Sequence, residues 1–396
     1  MQQSPAPRTP ARPPRPPGFT EALREAAAIA ALSPSSHNCQ PWAHALLSSS
    51  GARAAAARLL GGDDEEETAE YLVLALDHER RLGALPAHAV EMQLSCGAYW
   101  QLLLCALDAQ GWVLDALRFG DDEGHLTELF GDGCPRTWSL LSVARLRRIE
   151  GDGGTGAELA GLRATAAARR TNRARYHEGL VDPAVLRGLT APCGAAASGA
   201  LVTVRHLRSG FERGRLADFV AGHGGRDFAH EEAWRETHSF IRWSHIEARV
   251  SGDGFTLAQL FGPLSRARHR LMRTALAPST MRLLSRVGYQ NFLARQLAAM
   301  VRPTSVVVAM SLRDDEPSLA DVLQGGAMLA EYWLRATRAG LALHPVSVVL
   351  QHEDVRLGLQ RRLGLTGRVF FLSRLGYPTV EFPPSPRHFN SSTRTI

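Results

Sequence analysis

Four short segments of the chain carry residue types that can hold a polar ligand. The first is SPSSHNCQPW at positions 33–42. Pro34 and Pro41 restrict the backbone at both ends, and Ser35, Ser36, Asn38 and Gln40 crowd hydroxyl and amide groups between them. Such a loop can offer several donors and acceptors to the edge of a planar heterocycle. The plainer reading is a helix-terminating turn with Trp42 in the core. The second segment is RRTNR at 169–173. Read as helix, it puts Arg169 and Arg173 four apart on one face. With Arg170 and the Thr171 hydroxyl they form a dianion clamp, because a guanidinium suits phosphate in two-pronged contact; a solvated basic face is the plainer reading.

The third segment, GLALHPVSV at 340–348, stops a helix at Gly340 and stiffens the next strand with Pro345. The backbone N–H groups of Ser347 and Val348 could then face a ligand, although a plain helix-to-strand connection would look the same. The fourth is RLGYP at 374–378, followed by PSPR at 384–387, which in the plain reading is a loose tail. His37, His44 and His344 are the histidines nearest these segments and the candidates for proton transfer, with a structural role as the commoner alternative. No residue is assigned a catalytic role from sequence.

Composition narrows the chemistry. The 396 residues suffice for a large core or two subdomains. Every basic side chain is Arg and none is Lys, which excludes a Schiff-base lysine and a P-loop lysine. The formal charge of +6 raises nucleic-acid binding, but the Arg residues are scattered among Asp and Glu without an aromatic-basic ladder, so none is expected. Cys39, Cys96, Cys105, Cys134 and Cys193 are odd in number with no CxxC. That argues against a disulfide framework or a metal site and for a reducing cytoplasm. No apolar run is long enough to span a membrane, and residues 1–18 read as a disordered Pro/Arg-rich tail.

These segments must be carried by elements that the periodicity outlines. Helices are expected over 18–32, 88–110, 164–174 and 318–339, the second and last ending at Gly111 and Gly340. Strands are expected over 71–76, 201–207, 304–312 and 369–372. The acidic run 63–67 reads as a solvated loop, and GDGGTG at 151–156 as a linker between a first half, 19–150, and a second, 151–396. Residues 211–296 form a long helical insertion with the character of a lid. Gly97-Ala98 and Gly326-Ala327 each precede a helix-ending glycine by the same interval and are expected to open helices that pack closely, as in a duplicated fold.

Taken together and in this order, the four segments resemble the nitroreductase superfamily, especially its long, internally duplicated members related to the mycobacterial Acg proteins. DHERR at 77–81 and SCGA at 95–98 are similar to that group as well. The resemblance covers the chain from about residue 20 and is weakest across 211–296. It implies an α+β fold, a mixed sheet flanked by helices, with two pseudo-repeated halves forming an internal pseudo-dimer. It also implies FMN as cofactor. Arg169, Thr171 and Arg387 would hold the phosphate, with Arg170 beside them, and Arg173 would lie near the flavin N1/O2 edge. The backbone of Ser347 and Val348 would approach N5, while Pro34, Ser35, Ser36, Asn38 and Gln40 would meet the ring from the other half. The chain departs from many relatives in having Arg where they carry Lys and Ser347 where they carry an acid.

The implied activity is an FMN-dependent oxidation or reduction of a small organic molecule, with NAD(P)H as one electron donor open to it. The SPSSHNCQPW string resembles a prodigiosin-type biosynthetic branch that oxidises a bipyrrole alcohol to its aldehyde. The alternative within the same resemblance is an Acg-type protein that sequesters FMN without turnover. An internal dimer-like interface is compatible with a monomer, and no membrane partner is expected.

Overall fold

The computed structural model describes residues 18–62, 68–120, 126–131, 133–149, 156–191, 201–262, 264–388 and 393–396. The expected tail, apart from Gly18, the acidic loop 63–67, Cys193 and all of the 151–156 linker except Gly156 lie outside the described residues.

The first half runs α1 (Phe19–Ala30), β1 (Trp42–Leu47), α2 (Ser50–Leu59), β2 (Glu70–Asp77), α3 (Ala87–Asp108), β3 (Trp112–Phe119), α4 (Leu126–Phe130) and β4 (Trp138–Arg148). The second runs α5 (Gly156–Ala168), α6 (Pro183–Leu189), β5 (Val202–Leu207) and α7 (Gly210–His223). There follow α8 (Gly225–Ala229), α9 (Glu231–Ser239), β6 (Ile241–Arg242), α10 (His245–Ser251), β7 (Phe255–Thr256), α11 (Leu257–Phe261), α12 (Arg266–Ala275), α13 (Pro278–Ser285) and α14 (Tyr289–Val301). The half closes with β8 (Val306–Leu312), α15 (Leu319–Arg338), β9 (Ala342–Pro345), α16 (Glu353–Leu363), β10 (Arg368–Gly376) and β11 (Thr393–Thr395).

The two main sheets repeat one topology. The order β1-β2-β4-β3 in the first is matched by β5-β8-β10-β9 in the second. Strands β1 and β8 are buried along their whole length, as apolar runs covered on both faces must be. Sheet one is covered by α2 and α4 on one face and by α1 and α3 on the other. Sheet two lies between α6 and α15 on one face and α7, α14 and α16 on the other. The terminal strand β11 crosses back and adds to β1 in parallel, His44 facing Thr393. This is the duplicated α+β architecture expected from sequence.

Helices α3 and α15 pack against each other at the centre. Their Gly-Ala pairs sit mid-helix, not at the helix starts as expected, because each helix begins some seven to ten residues earlier. Gly111 and Gly340 end these helices with φ of 82° and 72°, the left-handed stop that glycine adopts at no steric cost. Ser318 and Asp321 cap the start of α15 reciprocally.

The segment 211–296 is not one insertion. Helix α7 holds the place of α2, and α14 packs on it: Leu216, Ala217, Phe219, Val220, Ala298 and Val301 share one core with the second sheet. What has no counterpart in the described first half is 225–288. It carries a small core of its own around Ile241, Phe255, Leu257 and Leu276.

Candidate active site between the two halves

A cavity of about 330 Å3 lies between the halves, within the size range of small-molecule pockets, roughly 300–1,000 Å3. Four parts of the chain meet there: the 34–38 loop and α3, the 169–173 segment with α15 and Ser347, the 225–288 segment, and the tail at 383–387. All the expected ligand residues line it except Gln40 and Val348. Val348 packs its side chain into the second-half core.

The 34–42 loop is built for its own shape. His37, Asn38 and Gln40 have φ of 50°, 55° and 54°, a left-handed backbone that non-glycine residues hold only when their surroundings enforce it. The loop's polar groups do the enforcing. Asn38 Nδ2 donates to the carbonyls of Gly254 (3.0 Å) and Pro386 (2.9 Å), and its Oδ1 accepts from Arg387 at 2.5 Å. Gln40 is fully buried. It donates to Gly252 O at 2.8 Å, accepts from His388 N at 3.0 Å, and its backbone N–H donates to Ser35 Oγ at 3.1 Å. The amides expected to face a heterocycle are therefore consumed by protein partners, and Gln40 is a clamp outside the cavity.

The RRTNR segment is not helical. Helix α5 ends at Ala168, and Thr171 makes a parallel bridge with Leu343 while Asn172 N donates to Leu343 O at 2.9 Å. In extended chain the side-chain period is two, which sends Arg169, Thr171 and Arg173 to the cavity together. Arg170 lines it too, with Nε donating to Phe382 O at 3.2 Å.

The electrostatics is one-sided. Arg169 is 8% exposed and stacks over Trp333 at 4.9 Å. Arg169 and Arg387 both donate to the carbonyl of Leu32, at 3.1 and 3.3 Å. Burial, then Arg387 and Arg170, pull Arg169 well below its ordinary value; burial, then Arg170, brings Arg387 down to about 10. Neither they nor Arg170 nor Arg173 makes an ion pair among the described residues, and Arg169 Nε is buried without a partner. A buried cation without an ion pair costs several kcal/mol, so Arg169, with half-buried Arg170 and Arg387 beside it, fits a dianion such as a flavin phosphate. Arg173 Nη1 donates to Gln259 O at 2.9 Å, and burial lowers it to about 10.

Of the candidate histidines only His37 lines the cavity. His44 is bonded to Tyr99 at 2.8 Å beneath the first sheet, and His344 to Arg374 at 2.9 Å. Arg374 is 1% exposed, stacked on Tyr176 and bonded to Thr304 and Ala174, so the plain reading of its segment as a loose tail does not hold. Glu91, Thr237, Phe255 and Gln259 line the cavity without having been singled out in the sequence. Glu91 alone left a signal there: it is a charge inside the otherwise apolar body of α3.

No family model matches the sequence. A curated relative from Serratia sp. (strain ATCC 39006), named "Probable NAD(P)H nitroreductase PigM", is 29% identical over 374 residues, covering 93% of this chain and 92% of its own length. Among solved structures, the FMN- and NADPH-dependent nitroreductase NfnB from Sphigopyxis sp. strain HMH aligns at 17% identity and TM-score 0.35, over 57% of this chain and 93% of its own. Nitroreductase A from Vibrio parahaemolyticus aligns at 13% and 0.33, over 57% and 70%. With a relative matched along nearly the whole chain, and the four motif segments represented on one cavity, the chain is similar to the nitroreductases, the FMN-dependent oxidoreductases that its sequence resembles.

Proposed function

We propose that the cavity holds one FMN and that the protein uses it to oxidise a primary alcohol on a bipyrrole-type ring to the aldehyde. The observation that carries the reading is buried Arg169 with half-buried Arg170 and Arg387 beside it, none of them in an ion pair among the described residues, in the same cavity as Pro34, Ser35 and Ser36. Arg169, Arg170, Thr171 and Arg387 would hold the phosphate. Ser347 and Arg173 would flank the ring. When bound, the flavin accepts the electron pair of a hydride. The chain's own residues orient both molecules and exclude water: Trp333, Leu329 and Phe371 wall one part of the cavity, and Phe255 and Leu260 of the 225–288 segment another. That mixture of apolar walls and few polar groups suits a flat aromatic substrate. The bipyrrole alcohol rests on the likeness of SPSSHNCQPW to the prodigiosin-type branch, and NAD(P)H as an alternative donor on the name of the Serratia relative.

Heat release and chromatography of the purified protein test the cofactor: FMN, not FAD, is expected. A colourless protein that FMN does not reconstitute overturns the reading. Anaerobic mixing with 2,2′-bipyrrole-5-methanol tests the substrate, with bleaching of the flavin as the expected result. A flavin that the alcohol leaves oxidised, and that reoxidises slowly after photoreduction, would favour sequestration instead.

A further inference from the structure

One wall of the cavity carries a continuous chain of hydrogen bonds that ends on a carboxylate. Glu91 Oε2 accepts from Ser36 Oγ at 2.5 Å, and Glu91 Oε1 accepts from Gln351 Nε2 at 2.7 Å. Ser36 Oγ is also 3.3 Å from His37 Nδ1, and His37 Nε2 is 2.9 Å from Thr237 Oγ1. Thr237, His37, Ser36 and Glu91 all line the cavity.

Proton counting orients the chain. A hydroxyl has one proton to donate, and that of Ser36 goes to Glu91. The contact between Ser36 and His37 must then be donated by His37 Nδ1–H. Burial, with His88 and Arg173 nearby, lowers His37 to about 3, so its ring is neutral and Nε2 keeps a lone pair for the Thr237 hydroxyl. Every donor thus points toward Glu91. The left-handed backbone at His37 holds the ring in this place, and the Asn38 and Gln40 amides pin that backbone.

We propose that Glu91 is the proton acceptor of the cavity, reached from the substrate through Thr237, His37 and Ser36. The inference rests on the alcohol-oxidation reading above. As the alcohol carbon gives up its hydride to the flavin, the alcohol O–H bond breaks and its proton passes to Thr237 Oγ1. The Thr237 proton moves to His37 Nε2, the His37 Nδ1 proton to Ser36 Oγ, and the Ser36 proton to Glu91 Oε2. The carboxylate ends as a carboxylic acid and His37 as the other neutral tautomer. No imidazolium is formed, as a site that keeps His37 neutral requires. Thr237 is the catalytic residue that touches substrate; His37, Ser36 and Glu91 act through it.

Two measurements on the FMN-loaded full chain test this. The first needs no substrate: 15N NMR of His37 at neutral pH should show a neutral ring protonated on Nδ1. A ring protonated on Nε2, or an imidazolium, overturns the path. The second uses 2,2′-bipyrrole-5-methanol as probe in anaerobic single turnover. Glu91→Gln should slow flavin bleaching ~100-fold or more, the usual scale of general acid–base catalysis, and abolish the solvent deuterium effect. Its FMN Kd should stay close to that of the parent protein. His37→Asn, whose new side chain tolerates the left-handed backbone, should do the same. Undiminished bleaching in either variant overturns the path, as does a parallel loss of FMN affinity and rate, which would mark a purely structural role. If the parent protein itself is not bleached, the alcohol reading fails, and the His37 tautomer still decides the path.

Discussion

Gly97 and Gly326 answer each other across the contact between α3 and α15. A Cβ on Gly97 would overlap the carbonyl of Leu323, three residues before Gly326, and a Cβ on Gly326 would overlap the carbonyl of Leu94, three residues before Gly97. This reciprocity is what an isologous interface produces, here between two halves of one chain. The clash is with backbone, so no rotamer change relieves it. Gly97→Ala or Gly326→Ala should destabilise by about 1–3 kcal/mol or more, as overpacking does, despite the better helix propensity of Ala, worth ~1 kcal/mol. Thermal melting checks the stability. FMN content should fall in step, because Leu94 and Ala98 of α3 and Leu329 and Trp333 of α15 line the cavity.

Gln40→Ala tests whether the loop is a scaffold. The side chain contacts no cavity, yet it holds Gly252 O and His388 N. Removing it leaves buried backbone groups unpaired, at about 1–3 kcal/mol of desolvation. The left-handed turn should relax and FMN affinity should drop although no ligand contact is deleted. Retained affinity with unchanged melting would show that the turn holds itself.

The helix boundaries were legible in the sequence because local chemistry sets them: Gly111, Gly340 and the Ser318–Asp321 pair act within a few residues. The RRTNR segment was misread for the converse reason. The Ala-rich run ahead of it favours helix up to Ala168, and only a partner at Leu343, 172 residues past Thr171, pulls it into extended form. The loop at 34–42 was recognised as special, but its amides were assigned to a ligand, since nothing local shows that Gly252, Gly254 and Pro386 would claim them. Thr237 and Phe255 reach the cavity from a segment that only tertiary packing brings there.

His44 should make the fold acid-labile. Burial lowers it from 6.5 to about 4. The unfolded chain therefore binds a proton more readily between these values, and stability falls as pH drops from 6.5 through 4. Above 6.5 the contribution is complete and flat. His44→Gln should reduce the pH dependence of the melting temperature in that window by the equivalent of roughly one proton, with little effect at pH 8. An unchanged slope would mean that other histidines, such as half-buried His206, also lowered to about 4, carry the acid sensitivity.

The last expectation is one FMN per chain. On the proposed reading the phosphate clamp would come from the second half, at Arg169, Arg170, Thr171 and Arg387, and the facing loop from the first, at Pro34, Ser35 and Ser36, all of which line the one cavity. A symmetric pair of sites would need RRTNR in the first half and SPSSHN in the second, and the sequence contains each string once. Arg169 and Asn38 would then serve one ligand, linked through Arg387, which donates to Asn38 and, like Arg169, to Leu32. Losing a charge-assisted phosphate contact should cost ~1.5–3 kcal/mol, so Arg169→Ala should weaken FMN about tenfold or more. Titration of apoprotein, followed by flavin fluorescence, measures both quantities. Two equivalents per chain, or full affinity in Arg169→Ala combined with Arg173→Ala, would dispose of a single site shared between the halves.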